Sequence, residues 1–234
     1  MKLDKYVDRH ITETLRAKNE EHEKGYTSKG NLSASQLGWP LQWQILKSRG
    51  IKAPPPDDYT LRKFSRGNHV EEWFISMMPD VVDTQQKVAY KGVTGRLDCT
   101  VNTLGWDFNV GTIPVEVKSV TNAKFRRIVQ RKETDRGHLL QGGLYALALG
   151  APHFAIAYIA SDDYRIRVHI HTVKEVQPTI DGIIKRFENQ VALGTIPVFS
   201  PEEDWQENIK YNMYPEWASL TEDEITSKLK DYEL

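Results

Sequence analysis

Between Gly95 and Lys118 apolar and polar residues alternate with a period of two, once before and once after a turn running from Leu104 to Gly111. Side chains on a strand point by turns to opposite faces, so the pattern predicts two half-buried strands joined as a hairpin. On the first strand Leu97, Cys99 and Val101 are expected on one face, with Arg96, Asp98 and Thr100 on the other. On the second, Ile113, Val115 and Val117 are expected on the apolar face, with Glu116 and Lys118 opposite. Pairing of the two strands would bring Asp98, Glu116 and Lys118 onto a single face.

Two carboxylates held close together repel, and a cation relieves the repulsion. Hard oxygen ligands suit magnesium or manganese. Lys118 beside such an ion would orient an attacking water or stabilise developing negative charge, an arrangement suited to metal-assisted hydrolysis of a phosphodiester. On these residues alone, an ordinary hairpin with a surface glutamate and lysine side by side fits as well.

Flanking motifs extend the pattern. In order along the chain stand Arg66-Gly67-Asn68-His69-Val70-Glu71, Gly95-Arg96-Leu97-Asp98, Glu116-Val117-Lys118 and Gln141-Gly142-Gly143-Leu144-Tyr145. This order resembles the PD-(D/E)xK nucleases, and within them the RecB-like branch that includes phage exonucleases and the CRISPR-adaptation nucleases. The resemblance runs from Arg66 to Tyr145. It implies an α/β fold with a restriction-endonuclease-like core, a central mixed β-sheet flanked by α-helices.

The resemblance also implies roles. Gly67 to Glu71 fits the G-x-x-x-E form of the first motif, so Glu71 rather than His69 inherits that position, binding the metal directly or through water. Asp98 and Glu116 would bind it through carboxylates and Val117 through its backbone carbonyl, with Asp98, Glu116 and Lys118 the catalytic set. Gln141 and Tyr145 match Q-x-x-x-Y and would position the substrate phosphate or the neighbouring strand. The activity implied is a magnesium- or manganese-dependent deoxyribonuclease. By analogy with small stand-alone relatives, it would be an exonuclease of DNA recombination, repair or phage DNA processing. An endonuclease of the junction-resolving or restriction kind would share every residue named, and a non-catalytic DNA-binding subunit could keep the fold. Some RecB-like relatives carry an iron–sulfur cluster on four cysteines. Cys99 is the single cysteine here, so no such cluster and no internal disulfide is expected.

The 234 residues carry a net charge of −1, so any DNA affinity must come from local patches. Arg66 is one candidate contact. The segment from Ser119 to His138 supplies Lys124, Arg126, Arg127 and Arg131 against only Glu133 and Asp135, and next to a metal site it is expected to hold a phosphate backbone. Phe125 within it would stack on a base or, more simply, enter the core.

Other elements follow from periodicity and capping. Asp4 to about Lys24 reads as a charged helix with Tyr6, Val7, Ile11 and Leu15 as its apolar stripe, followed by a mobile Gly- and Ser-containing stretch from Gly25 to Asn31. Ser33 is placed to cap the next element, and Pro54-Pro55-Pro56 marks a stiff connector. A helix from about Thr60 to Met78 is expected to bury Leu61, Phe64, Val70, Trp73, Phe74 and Met77. Gln85 to Tyr90 and Val93 to Val101 should pair through a turn at Lys91-Gly92, completing a three-stranded antiparallel meander. A helix from His138 to Leu149 puts Gln141 and Tyr145 on one face. On a later edge strand His169 and His171 read as an exposed polar face rather than a metal site. Residues 1–200 are expected to form one nuclease-like domain, with 201–234 a C-terminal extension packed on it, carrying Trp205, Tyr211, Tyr214 and Trp217 and ending in a short helix from a Thr221-x-x-Glu224 capping box. No P-loop is present, so duplex unwinding would need a partner. The expected partners are DNA and either further copies of the chain or a recombination or helicase protein. The polar N-terminus and the lack of a long apolar run predict a cytoplasmic protein without a membrane segment.

Overall fold

A computed structural model describes residues 3–24, 30–200, 213–230 and 232 of the chain. The elements in order are α1 (Leu3–Lys24), a single 3-10 turn (Ala34–Gln36), α2 (Leu41–Ser48), α3 (Asp58–Met77), β1 (Val81–Tyr90), β2 (Val93–Asn102), β3 (Thr112–Val120), α4 (Asn122–Arg131), α5 (Arg136–Leu149), β4 (His153–Ala160), β5 (Ile166–Thr172) and α6 (Val173–Leu193). Short helices at Pro215–Ala218 and Glu222–Leu229 complete it. Among the described residues no helix is long and apolar enough to cross a membrane.

The fold is α/β: a mixed five-stranded sheet in the order β1-β2-β3-β4-β5, flanked by helices on both faces. β1, β2 and β3 form the antiparallel meander, β3 and β4 run parallel, and β4 and β5 are antiparallel. The single parallel pair requires a crossover, and α4 and α5 supply it. Lys91 and Gly92 both take positive φ, +45° and +79°, which matches the twist of the β1–β2 hairpin. Asp57 caps α3 by accepting from the Thr60 N–H at 2.8 Å, a contact worth about 1 kcal/mol.

Two cores sandwich the sheet. Under α3, Val70 and Phe74 pack on Cys99, Val101, Ile113, Val115, Val117, Ala155, Ala157 and Ile159. On the other face α2, α5, α6 and the C-terminal helices bury Leu97, Phe154, Ile156 and Tyr158, with Tyr214 and Trp217 fully enclosed. The Gln42 amide donates to the Trp217 carbonyl and helps hold the C-terminal segment in place. Trp205, Tyr211 and most of the Gly25 to Asn31 stretch lie outside the described residues.

Several expectations from periodicity are corrected. Leu97 does not share a face with Cys99 and Val101: it enters the core beneath α5, whereas they enter the core beneath α3. At this point Gln85 on β1, opposite Asp98, takes the irregular φ of +54°, and β2 supplies side chains to both cores. Phe64 and Met77 are exposed on α3, at 53% and 63%, because the buried side of the helix is carried by Leu61, Val70 and Phe74. Val7 and Ile11 on α1 are likewise exposed. That helix is held to α3 by ion pairs, Arg16 to Asp58 and Arg62 to Asp8, each at 2.6 Å. On β5 the alternation is inverted. His169 and His171 turn inward, where both ring nitrogens meet the Thr134 hydroxyl at 2.9 and 2.8 Å, while Ile166, Val168 and Ile170 face out. Phe125 is buried in the core and cannot stack on a base.

Candidate active site

The β2–β3 ladder runs from Asn102↔Thr112 to Cys99↔Val115 and stops there. Beyond it the strands part, and β3 continues alongside β4 from Val115 to Val120. In the fork the Asp98 carboxylate takes the place of a ladder partner and accepts the Val117 N–H at 2.7 Å. Glu116 and Lys118 project from β3 into the same fork. Lys118 Nζ donates to Glu116 Oε1 and, at 3.3 Å, to Gln141 Oε1 on α5. Gln141 in turn donates to the Tyr145 hydroxyl at 3.0 Å. Glu71 arrives from α3 above.

Burial sets the electrostatics. The Glu116 side chain is 1% exposed, and its Oε2 has no hydrogen-bond partner. Burial pushes its carboxyl up to about 8, against the pull of the Lys118 ammonium, with the Asp98 charge adding to the rise. Glu71 is pushed up to about 7 by burial and by Asp98. Asp98 is raised by burial, with Lys118 and the Val117 N–H opposing. Burial disfavours the Lys118 ammonium, but Glu116 and Asp98 outweigh it and hold its pKa above the ordinary lysine value. Glu71 and Glu116 are thus disposed to take up protons near neutral pH, and Asp98 is raised in the same direction, around one lysine that keeps its own proton, an arrangement typical of functional sites.

Gln85 carries no signal in the sequence and nonetheless belongs to this cluster. Its amide donates to Glu71 Oε1, and its backbone sits at φ +54°, a left-handed conformation that costs a glutamine on the order of 1–3 kcal/mol. Its side chain fixes Glu71 where that carboxylate faces Asp98. Gln85→Gly is expected to raise the melting temperature, by up to about 4 °C for relief of roughly 1 kcal/mol, because glycine adopts this φ freely. On the phosphodiester chemistry that the resemblance implies, the same change should lower turnover about 10- to 100-fold, the usual cost of losing the partner that orients a ligand. Thermal melts and cleavage rates on the same preparation check it, and unchanged turnover would remove Gln85 from the site.

The remaining expected site residues separate into groups. Tyr145 is 2% exposed, with its ring against Gly95, where a Cβ would fall 2.5 Å from the ring and 2.9 Å from the Ala34 methyl. The tyrosine is enclosed, and its hydroxyl accepts from the Gln141 amide. Arg66 lines a cleft of about 860 Å³ between α1 and α3 that ends at Glu71, Val117 and Lys118. Lys124, Arg127 and Arg131 line a separate hollow of about 110 Å³ on α4, where Lys124 is paired with Asp135 at 3.0 Å. Arg126 and Arg127 are exposed on α4. His138, not singled out from the sequence, is held neutral: burial and then the Lys118 charge bring its pKa down to about 3, and Nδ1 lies 3.2 Å from the Tyr158 hydroxyl.

Among the described residues no three His, Cys, Asp or Glu side chains are grouped so that they could hold a metal ion as they stand. Glu71, Asp98 and Glu116 are each engaged by a different donor, Gln85, Val117 and Lys118. The donor set still fits a hard divalent cation. It consists of carboxylate oxygens, one of them buried and unpartnered, whose mutual repulsion such a charge would relieve.

Compared by sequence, the chain matches no protein family and no curated protein. Among solved structures it is similar to SSO0001, with 16% identity and a TM-score of 0.55, over 90% of this chain and 98% of that one. A weaker likeness, at 12% identity and a TM-score of 0.48, is to an alkaline exonuclease (LHK-Exo) from Laribacter hongkongensis, over 70% of this chain and 91% of the exonuclease. The likeness to SSO0001 is one of fold.

Proposed function

We propose that this chain is a metal-dependent deoxyribonuclease that hydrolyses DNA phosphodiester bonds from an end. The observation that carries the reading is the fork itself. Asp98, Glu116 and Glu71 converge on one lysine, with Glu116 Oε2 buried and unpartnered at the centre. Magnesium or manganese would be held by Asp98, Glu116, the Val117 carbonyl and Glu71, directly or through water, and when bound would supply Lewis-acid stabilisation of the charge on the phosphate and the leaving oxygen. Lys118, fixed from two sides by Glu116 and Gln141, orients the attacking water and screens the developing negative charge. Glu71, held in place by the Gln85 amide, completes the carboxylate set around the ion. Tyr145 holds Gln141, and through it Lys118, in place. Arg126 and Arg127 on α4 would take phosphates of the DNA farther from the cut.

The test is cleavage of end-labelled linear DNA and of covalently closed circles, single- and double-stranded, in magnesium, manganese or EDTA. Linear DNA should be degraded, circles left intact, and EDTA should stop the reaction. Nicking of the circles would make the protein an endonuclease. Absence of cleavage on every substrate in manganese would sink the enzyme reading and leave a DNA-binding subunit.

A further inference from the structure

Gly67 has no structural reason to be a glycine. It sits inside α3, where glycine costs about 1 kcal/mol relative to alanine. Its φ lies outside the left-handed region, and a Cβ built there meets nothing within 4 Å. The space it leaves open is the cleft between α1 and α3. Phe64 lies in the same cleft and is 53% exposed, an aromatic ring that the core does not use. Phe64, Gly67 and Glu71 follow at spacings of three and four, so they share one stripe of α3, with Phe64 about 10 Å along the axis from Glu71. Lys18 from α1 and Arg66 from α3 line the same space, and Lys118 closes its inner end.

We propose that this cleft takes a single strand of DNA, rests the face of a base on Phe64 above the open floor at Gly67, and leads the following phosphate to Glu71 and Lys118. This inference rests on the nuclease reading of the site. Cations along a groove with an aromatic platform are the chemistry that recognises unpaired strands, since every base has a face to stack and every linkage a phosphate to pair. The volume, about 860 Å³, is in the range of clefts that enclose a compact ligand, room for about one or two nucleotides and not for a duplex. α1 forms the facing wall and meets α3 through the exposed pairs Arg16–Asp58 and Arg62–Asp8. A blunt duplex would have to fray or be unwound before its end could reach Lys118.

The experiment is fluorescence anisotropy in EDTA, where no cleavage occurs, with a labelled single-stranded thymidine oligonucleotide and a blunt hairpin duplex as the two probes. The parent should bind the single strand at least about fivefold more tightly than the duplex. Gly67→Leu, which fills the floor without strain, and Phe64→Ala should each lose about fivefold or more on the single strand, the scale of one stacked base, and leave duplex binding alone. Melting curves of both variants confirm the fold. Equal binding of the two probes by the parent would overturn the proposal. So would parental single-strand affinity in Gly67→Leu at parental melting temperature. Because binding is read without turnover, a protein that cuts no DNA defeats the nuclease reading while the anisotropy still decides what the cleft holds.

Discussion

Asp98→Asn is expected to abolish DNA cleavage and at the same time raise the melting temperature of the metal-free protein. The carboxylate is buried, and it lies close to Glu116 and Glu71, whose own pKa values it raises. Removing its charge takes one of three like charges out of a poorly solvated cluster, which favours folding. Asparagine keeps an oxygen for the Val117 N–H, now accepted at 2.7 Å, so that backbone donor stays paired. A gain of roughly 1 kcal/mol would appear as about 2–4 °C in a chain of this length at pH 8. Turnover should fall by at least about 10³-fold, the scale on which a preorganised charge-stabilising group acts. Turnover within tenfold of the parent would remove Asp98 from the proposed mechanism. Lost turnover with a lowered melting temperature would show that the aspartate serves folding instead.

The grouping of Asp98, Glu116 and Lys118 is legible because Ile113, Val115 and Val117 alternate with the polar Glu116 and Lys118 along β3, although the strand is buried on both faces. Glu71 was legible by its spacing from Gly67. What the sequence could not carry was where that alternation breaks. Leu97 and Cys99 are two residues apart yet lie in different cores, where Gln85 stands opposite Asp98, and nothing in a glutamine announces φ +54°. Gln85 therefore looked like one more polar residue on a strand, although it holds Glu71. His169 and His171 were assigned to the solvent face because they are polar. Thr134 reaches them from the α4–α5 connection, and a hydrogen-bond partner so far away in sequence outweighs local polarity. Helical spacing groups Phe64 with the buried side of α3, whereas the helix exposes it into a cleft whose second wall, α1, lies forty or more residues earlier in the chain.

In EDTA the protein is expected to lose stability as pH rises from about 6.5 to about 8, above the range in which the buried neutral His138 works in the opposite direction, and a divalent cation is expected to give it back. In the unfolded chain Glu71 and Glu116 release their protons near 4.5, whereas in the fold they hold them to about 7 and about 8. Between those values these two carboxyls bind more protons in the folded state than in the unfolded one, so above about 6.5, where His138 no longer opposes them, stability falls with rising pH. Glu116, the more buried of the two, contributes a slope of at most about 1.4 kcal/mol per pH unit, and Glu71, closer to solvent, contributes less. Below about 4.5 both states are protonated and the stabilisation is complete. Lys118 adds no slope in this window, because its pKa is raised from an ordinary value of 10.5 and its contribution is lost only above that. A cation needs these carboxylates ionised, so it competes with protons and displaces them. Magnesium or manganese at about a hundred times its dissociation constant adds about 2.7 kcal/mol, or roughly 5–10 °C. That rise should be seen at pH 8, nearly vanish at pH 5, and be absent from Asp98→Asn at both. Thermal melts across pH, with and without metal, read it directly. A metal-induced rise of the same size at pH 5 and pH 8 would place the ion away from Glu71 and Glu116, because only a site made of those two carboxyls is closed by protons in that range.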